Sequence, residues 1–187
     1  MVVSCVTPAV STRTSTSRRG FTLVELLVVL VILSLLAGLV LGIGRYAIAS
    51  GKSSRAKAEL AVLSAALEVY RQQHGDYPRT ADGAQLLQSL LGRRDPLNRE
   101  IRTRALIDLV QFTMVDGRDP IQDPSAQLAD PWGHPYAYAY RTVTPWNNVG
   151  CILQSAGPNG LISTGLLPGG FIDIAQEANA DNVLAPR

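Results

Sequence analysis

Cysteine and histidine are scarce, with two of each among 187 residues. Cys5 lies in a basic N-terminal segment and Cys151 far along the chain, which excludes a disulfide framework as the basis of the fold. Cys5 also fails as a lipid-modified residue, because no apolar stretch fits into the four residues before it. Neither a His-Glu-x-x-His zinc spacing nor a Gly-x-Ser-x-Gly elbow is present. His74 and His134 each stand beside a turn, and His134 reads as a surface side chain. Enzymatic chemistry therefore has little to rest on. Ser50-Gly51-Lys52-Ser53 looks like the end of a phosphate-binding loop, but Tyr46 stands where that pattern needs its first glycine. A nucleotide site is excluded on the same ground.

Charge of one sign is also missing. The formal net charge of +2 becomes −1 without the three arginines of the first twenty residues, Arg13, Arg18 and Arg19. Arg93, Arg94, Arg99, Arg102 and Arg104 form the one other basic cluster, and they read as a solvated helix face rather than a nucleic-acid footprint. No nucleic-acid partner is expected. The length suits one globular domain with an appendage.

That appendage is the most informative part of the chain. From Leu26 to Ile43 there are 18 consecutive residues without a charge. With Phe21 to Glu25 in front, the run reaches about 34 Å as a helix, enough to span a bilayer. Basic residues precede it, so the N-terminus is expected to stay cytoplasmic. A cleavable secretory signal would be shorter and would end at a small-residue site. One carboxylate, Glu25, sits inside the apolar run, where an isolated charge is costly unless it is paired.

The order of residues in RRGFTLVELLVVLVIL, Arg18 to Leu33, resembles the class III signal of type IV pilins and type II secretion pseudopilins. The resemblance implies cleavage by a prepilin peptidase between Gly20 and Phe21, N-methylation of Phe21, and an assembly role for Glu25. The new α-ammonium group of one subunit could then sit beside Glu25 of its neighbour in a filament, a pairing strengthened by a low dielectric.

Beyond Gly44, Ala56, Leu60, Leu63, Leu67 and Tyr70 fall at helical steps and mark one apolar face. Arg55 and Glu59 read as an i,i+4 opposite-charge pair on the outer face of that helix. Gly75, in HGDYP, is expected to end it, so that one helix runs from residue 21 to about 73. GDYPRTADGAQLLQSL, Gly75 to Leu90, reads as a turn and a short amphipathic helix. Residues 98 to 115 read as a further helix, with Ile101, Ala105, Leu106, Leu109 and Val110 on one side. Asp-Pro-Trp-Gly at 130 to 133 is a turn by its chemistry. Tyr136, Tyr138 and Tyr140 alternate with alanines as in a packed strand. Cys151 to Ser155 is a second strand, ending at Ala156-Gly157-Pro158-Asn159-Gly160.

The GDYP, DPWG and GPNG segments resemble, in the same order, those of the major pseudopilins of type II secretion. The resemblance implies a pilin-like α+β fold, with a long N-terminal helix, transmembrane then amphipathic, packed on a small head with a short antiparallel sheet. The corresponding division is a leader at 1–20, a transmembrane or filament-core half at 21–44, an amphipathic half at 45–73 and a periplasmic head at 74–187. Residues 92–128 read as an insertion. The family's loop binds calcium, which implies Ser155, Asn159, Asp181 and Asn182 as ligands here. Amides stand at two of three anionic positions, and Asp173 and Glu177 are the available substitutes.

The expected protein is thus a subunit of the secretion pseudopilus rather than an enzyme, held in the bacterial inner membrane by a single pass and assembled into a periplasmic filament. Its expected partners are the prepilin peptidase, copies of itself in a helical filament, minor pseudopilins, the inner-membrane assembly platform and lipid. Two alternatives stay open at this point. One is a type IV pilin for adhesion, motility or DNA uptake; the other is a membrane-tethered periplasmic binding protein or enzyme.

Overall fold

The computed structural model describes residues 20–163 and 165–186, with the side chains of residues 39–46 left out. Arg13, Arg18, Arg19, Cys5 and the rest of the leader before Gly20 lie outside the described residues. The chain divides into two units between Arg45 and Tyr46. Helix α1, Leu23–His74, contributes to both.

In the first unit, Thr22 starts the helix. Its hydroxyl accepts the Glu25 amide (3.2 Å) and its carbonyl accepts that of Leu26 (3.2 Å), which satisfies two of the donors a helix start leaves free. Every described side chain from Phe21 to Gly38 is exposed, including leucines at 26, 30 and 33 that are each more than half accessible. Among the described residues no helix is long and apolar enough to cross a membrane. The expected span of 21–44 is only partly covered by them, since the side chains of 39–44 are not described.

The second unit is built around the remaining part of α1. The periodic face is as expected: Ala56, Leu60, Leu63 and Tyr70 are fully buried and Leu67 nearly so. Each large side chain removed from water in this way stabilises the fold by about 1.5–3 kcal/mol. α1 ends at His74 because Gly75 takes a φ of 81°, the left-handed conformation that closes helices. The Asp82 carboxylate then caps α2, Gly83–Leu90, by accepting the Ala84 amide at 2.8 Å. Leu86, Leu87 and Leu90 of α2 join the core laid down by α1.

The strands are short. β1, Thr113–Met114, pairs antiparallel with β2, Leu128–Ala129. β3, Ala137–Ala139, and β4, Ile152–Ser155, pair with Tyr138 opposite Leu153, and β4 pairs on its other side with β7, Val183–Leu184. This gives a three-stranded antiparallel sheet with β3 and β7 at its edges. β5, Leu166–Leu167, and β6, Phe171–Ile172, form a separate ribbon. Helix plus small antiparallel sheets is the α+β arrangement expected.

The alternating tyrosines are all buried, and each hydroxyl finds an acceptor. Tyr136 donates to Glu59 (2.6 Å), Tyr138 to the Pro78 carbonyl (2.8 Å) and Tyr140 to Asp76 (2.7 Å). Burial and the Glu59 carboxylate push the Tyr136 hydroxyl well above the ordinary phenol range, so it stays a donor. Three hydrogen bonds thereby tie β3 and its flanks to α1 and to the turn behind it.

One expectation fails. Residues 98–115 are not an α-helix; a 3₁₀ turn, Leu109–Gln111, capped by Asp108, occurs there, and a second, Val115–Gly117, begins at its end. The amides that a helix would use internally go elsewhere: Ile101 donates to Arg93, Thr103 to Gly92 and Leu106 to Leu90. Pairing with the segment just after α2 satisfies the backbone without a helix, and tertiary partners outweigh a weak local propensity. Val110, expected on the buried side, is 91% exposed.

Candidate functional site

Two groups of residues carry the chemistry singled out above. The first is the junction ahead of α1. Gly20 is exposed, and a Cβ built there meets nothing within 4 Å, so the fold itself places no steric demand on that glycine. Phe21 is 77% exposed. Two exposed residues are thus followed directly by a capped helix. Glu25 sits in the first turn of α1, where the positive end of the helix dipole favours a carboxylate. Its side chain has no hydrogen bond or ion pair among the described residues. Thr22 was not singled out by the sequence reading, although Thr-x-x-Glu at a helix start is a capping signature. Here only half of that signature forms, because Thr22 takes the Glu25 amide while the Glu25 carboxylate stays free.

The second group is where the head's C-terminal turns meet. Asp130 opens the DPWG turn and is almost fully buried. One carboxylate oxygen accepts the amides of Trp132 (3.0 Å) and His134 (2.9 Å), and the other accepts the Ser155 hydroxyl (2.5 Å). Ser155 Oγ accepts the Gly157 amide (3.1 Å), and His134 Nδ1 lies 3.1 Å from the Gly157 carbonyl. Asp130 thus locks the DPWG turn to the GPNG turn. Sequence reading recognised the turn but missed Asp130 as its anchor; an aspartate two residues before a turn amide was the available signal.

Gly157 has a φ of 65°, and a Cβ there would stand 2.4 Å from the Asp181 carbonyl, so only glycine allows the turn and tail to approach this closely. Across that contact the Asn159 amide donates to Asp181 Oδ2 (3.1 Å), while Asn159 Oδ1 accepts the Leu161 amide (2.7 Å). Asp181 Oδ1 is buried and lacks any hydrogen-bond partner. The Asn182 amide nitrogen donates to Asn179 Oδ1 (2.9 Å), which leaves its oxygen 3.1 Å from the carbonyls of Ala156 and Leu161. Exchanging the ends of the Asn182 amide would satisfy those carbonyls but would press its oxygen against Asn179 Oδ1. That oxygen already accepts the Ser163 amide, and Asn179 Nδ2 donates to Ser163 Oγ and the Asp173 carbonyl, so Asn179 cannot turn to compensate.

Acceptor oxygens of Ala156, Leu161 and Asn182, beside an orphaned carboxylate oxygen of Asp181, are the hard-donor chemistry that a calcium ion takes. One carboxylate makes for weak binding. No cluster of three histidine, cysteine or acidic side chains is found among the described residues. The structure therefore gathers Asn159, Asp181 and Asn182 but turns the Ser155 hydroxyl to Asp130. Asp173 spends its carboxylate on the Ala175 amide and Gln176, and Glu177 is exposed. The carbonyls of Ala156 and Leu161 were not foreseen, because backbone oxygens carry no residue signature.

The remaining chemical candidates do not assemble into a reactive site. Burial pushes the Cys151 thiol up to about 11, so it is not a thiolate at neutral pH. The His74 ring is stacked on Tyr70, with centroids 4.4 Å apart.

Residues 15–41 match the family described as the prokaryotic N-terminal methylation motif. Type II secretion system core protein G of Pseudomonas aeruginosa is 32% identical over 123 residues, covering 64% of this chain and 71% of the relative. The Escherichia coli protein of the same name is 29% identical over 154 residues, covering 81% of this chain and 90% of the relative. No solved structure gives a significant match.

Proposed function

The chain belongs to the type II secretion system core protein G family, and from that premise we propose how its residues serve a pseudopilus. Its role is structural rather than enzymatic. A prepilin peptidase cuts the exposed Gly20–Phe21 bond and methylates the new amine of Phe21. The apolar half of α1 then holds the subunit in the inner membrane, N-terminus in the cytoplasm and head in the periplasm. During assembly on the inner-membrane platform, with minor pseudopilins, the subunits stack so that the Phe21 amine of one lies beside Glu25 of another. The growing filament moves exported proteins toward the outer membrane.

The observation that carries this reading is the first turn of α1. Thr22 caps the helix in place of Glu25, so the carboxylate is held ready in an apolar surface with no partner among the described residues. Pairing in the filament removes the penalty of leaving it alone in a low dielectric. Deleting the chain's gene is expected to stop export of type II substrates, with full-length protein restoring it. Normal export in the deletion strain would contradict the reading.

In the head, the oxygens of Ala156, Leu161, Asp181 and Asn182 would hold calcium, with Asn159 fixing Asp181 from the side. The ion would supply a positive centre that joins the GPNG turn to the tail. At calcium well above a weak Kd, stabilisation of about 1.5–3 kcal/mol is expected from mass action. A melt with excess calcium against one with chelator should show that gain, and Asp181→Ala should erase it. Identical melts of the parent head in both conditions would remove calcium from the account.

A further inference from the structure

The segment after α2 is unusually basic and well fixed. Its two arms pair through Thr103 to Gly92 (2.8 Å), Ile101 to Arg93 (3.0 Å) and the Arg94–Glu100 bridge. Gly92 is required there, since a Cβ would stand 2.5 Å from the Thr103 carbonyl. The tip is held by Asp95, which accepts the Leu97 and Arg99 amides and pairs with the Arg99 guanidinium at 2.6 Å. Two acids are thus consumed by Arg94 and Arg99 within the hairpin. Arg102 and Arg104 are exposed and have no ion pair among the described residues.

The opposite charge lies elsewhere in the same head. Between Arg141 and Arg187 there is no lysine or arginine, while Asp173, Glu177 and Asp181 are all acidic. The topology separates the two regions. α2, which the hairpin follows, packs on β2 and β3, whereas the acids of the tail lead into β7. The hairpin, with five arginines against two acids, and the tail, with three acids and no base from 142 to 186, are segments of opposite sign, and no ion pair joins them among the described residues. The basic segment of one copy can therefore meet the acidic segment of the next, a head-to-tail contact of the type that generates helical filaments.

Resting on the filament reading above, we propose that the hairpin of residues 92–104 is a docking arm for the next copy of this chain, with Arg102 and Arg104 facing its Asp173 and Glu177. Glu177 is exposed, and Asp173 is half-buried with its hydrogen bonds made only to its own loop. Rim contacts of this sort fix register and orientation more than they supply affinity. The arm sets which neighbour is met, while the α1 helices hold the filament.

The test uses the full chain co-expressed with prepilin peptidase and the assembly platform, reading the sheared filament fraction. Arg102→Glu/Arg104→Glu and Asp173→Arg/Glu177→Arg should each lower that fraction about tenfold, because attraction becomes repulsion at every subunit contact. Combining all four changes should restore it. Arg104→Cys/Glu177→Cys in a Cys151→Ser background should give a ladder of disulfide-linked multimers under mild oxidation. Undiminished filaments from either charge-reversed chain overturn the proposal, as does assembly of the cysteine chain without a ladder. Filaments that form normally but no longer support export would make an exported protein the partner and overturn it as well. A parent chain that never forms filaments overturns this proposal and the filament reading together; parent filaments with indifferent variants overturn only this one.

Discussion

Glu25→Val is expected to abolish filament assembly while leaving the processed subunit in the membrane at normal amounts. The substitution sits five residues beyond the Gly20–Phe21 bond, in a helix turn already capped by the Thr22 hydroxyl. Neither the exposed junction nor the helix start depends on the carboxylate, so cleavage and methylation should continue. Valine also suits the surrounding apolar run, and the membrane-held subunit loses nothing by it. What would disappear, on the proposed pairing, is the countercharge for the amine of an adjacent Phe21. Leaving that ammonium unpaired in a low-dielectric filament core costs about 3–5 kcal/mol per contact, a factor of hundreds or more. Glu25→Gln should fall between, since it keeps hydrogen-bonding capacity without the charge. The sheared fraction, measured against processed subunit in membranes, separates assembly from maturation. Filaments from the Val variant at parent levels would remove Glu25 from the assembly step.

Asp130→Ala is expected to be the most damaging single change in the head. Two turn amides and the Ser155 hydroxyl all depend on one buried carboxylate. Its removal leaves three polar groups without partners, at about 1–3 kcal/mol for each that water cannot reach. A total loss of about 3–5 kcal/mol is a large share of what a domain of this size has. The damage should also spread, because Ser155 passes the Asp130 contact on to the Gly157 amide. Asp130→Asn retains an acceptor for the turn amides and should cost roughly half as much. Urea unfolding of the head followed by circular dichroism gives both values. A loss under about 0.5 kcal/mol for the alanine variant would mean that the turns are held together by something else.

Local periodicity made much of the architecture legible. The α1 stripe from Ala56 to Tyr70 and the Tyr136–Tyr140 alternation each pack one face against a core, and such packing leaves a pattern in the sequence. Gly75 was readable for a similar reason, since helix termini demand particular residues. Residues 98–115 were not readable. Ile101, Leu106 and Leu109 have helical spacing, yet the amides of Ile101, Thr103 and Leu106 are committed to the carbonyls of Arg93, Gly92 and Leu90, a non-local choice with no local signature. The arginines of that segment accordingly line a hairpin rather than the helix face they suggested.

The loop cluster was legible in half. Asn159, Asp181 and Asn182 do converge, but the tie between Asp130 and Ser155 spans 25 residues and changes what Ser155 does. Carbonyl oxygens contributed by Ala156 and Leu161 depend on the turn's conformation alone. The junction at Gly20 and Phe21 is the reverse case. Its meaning is carried by residue order, and the fold adds chiefly that Gly20 and Phe21 are exposed and that Thr22, rather than the Glu25 carboxylate, caps the helix.

The most direct test of the account is the intact mass and N-terminal sequence of the chain recovered from cells that supply a prepilin peptidase. The account predicts a product beginning at Phe21 and one methyl group heavier than residues 21–187. A chain still carrying its leader, or one cut anywhere other than after Gly20, would contradict it.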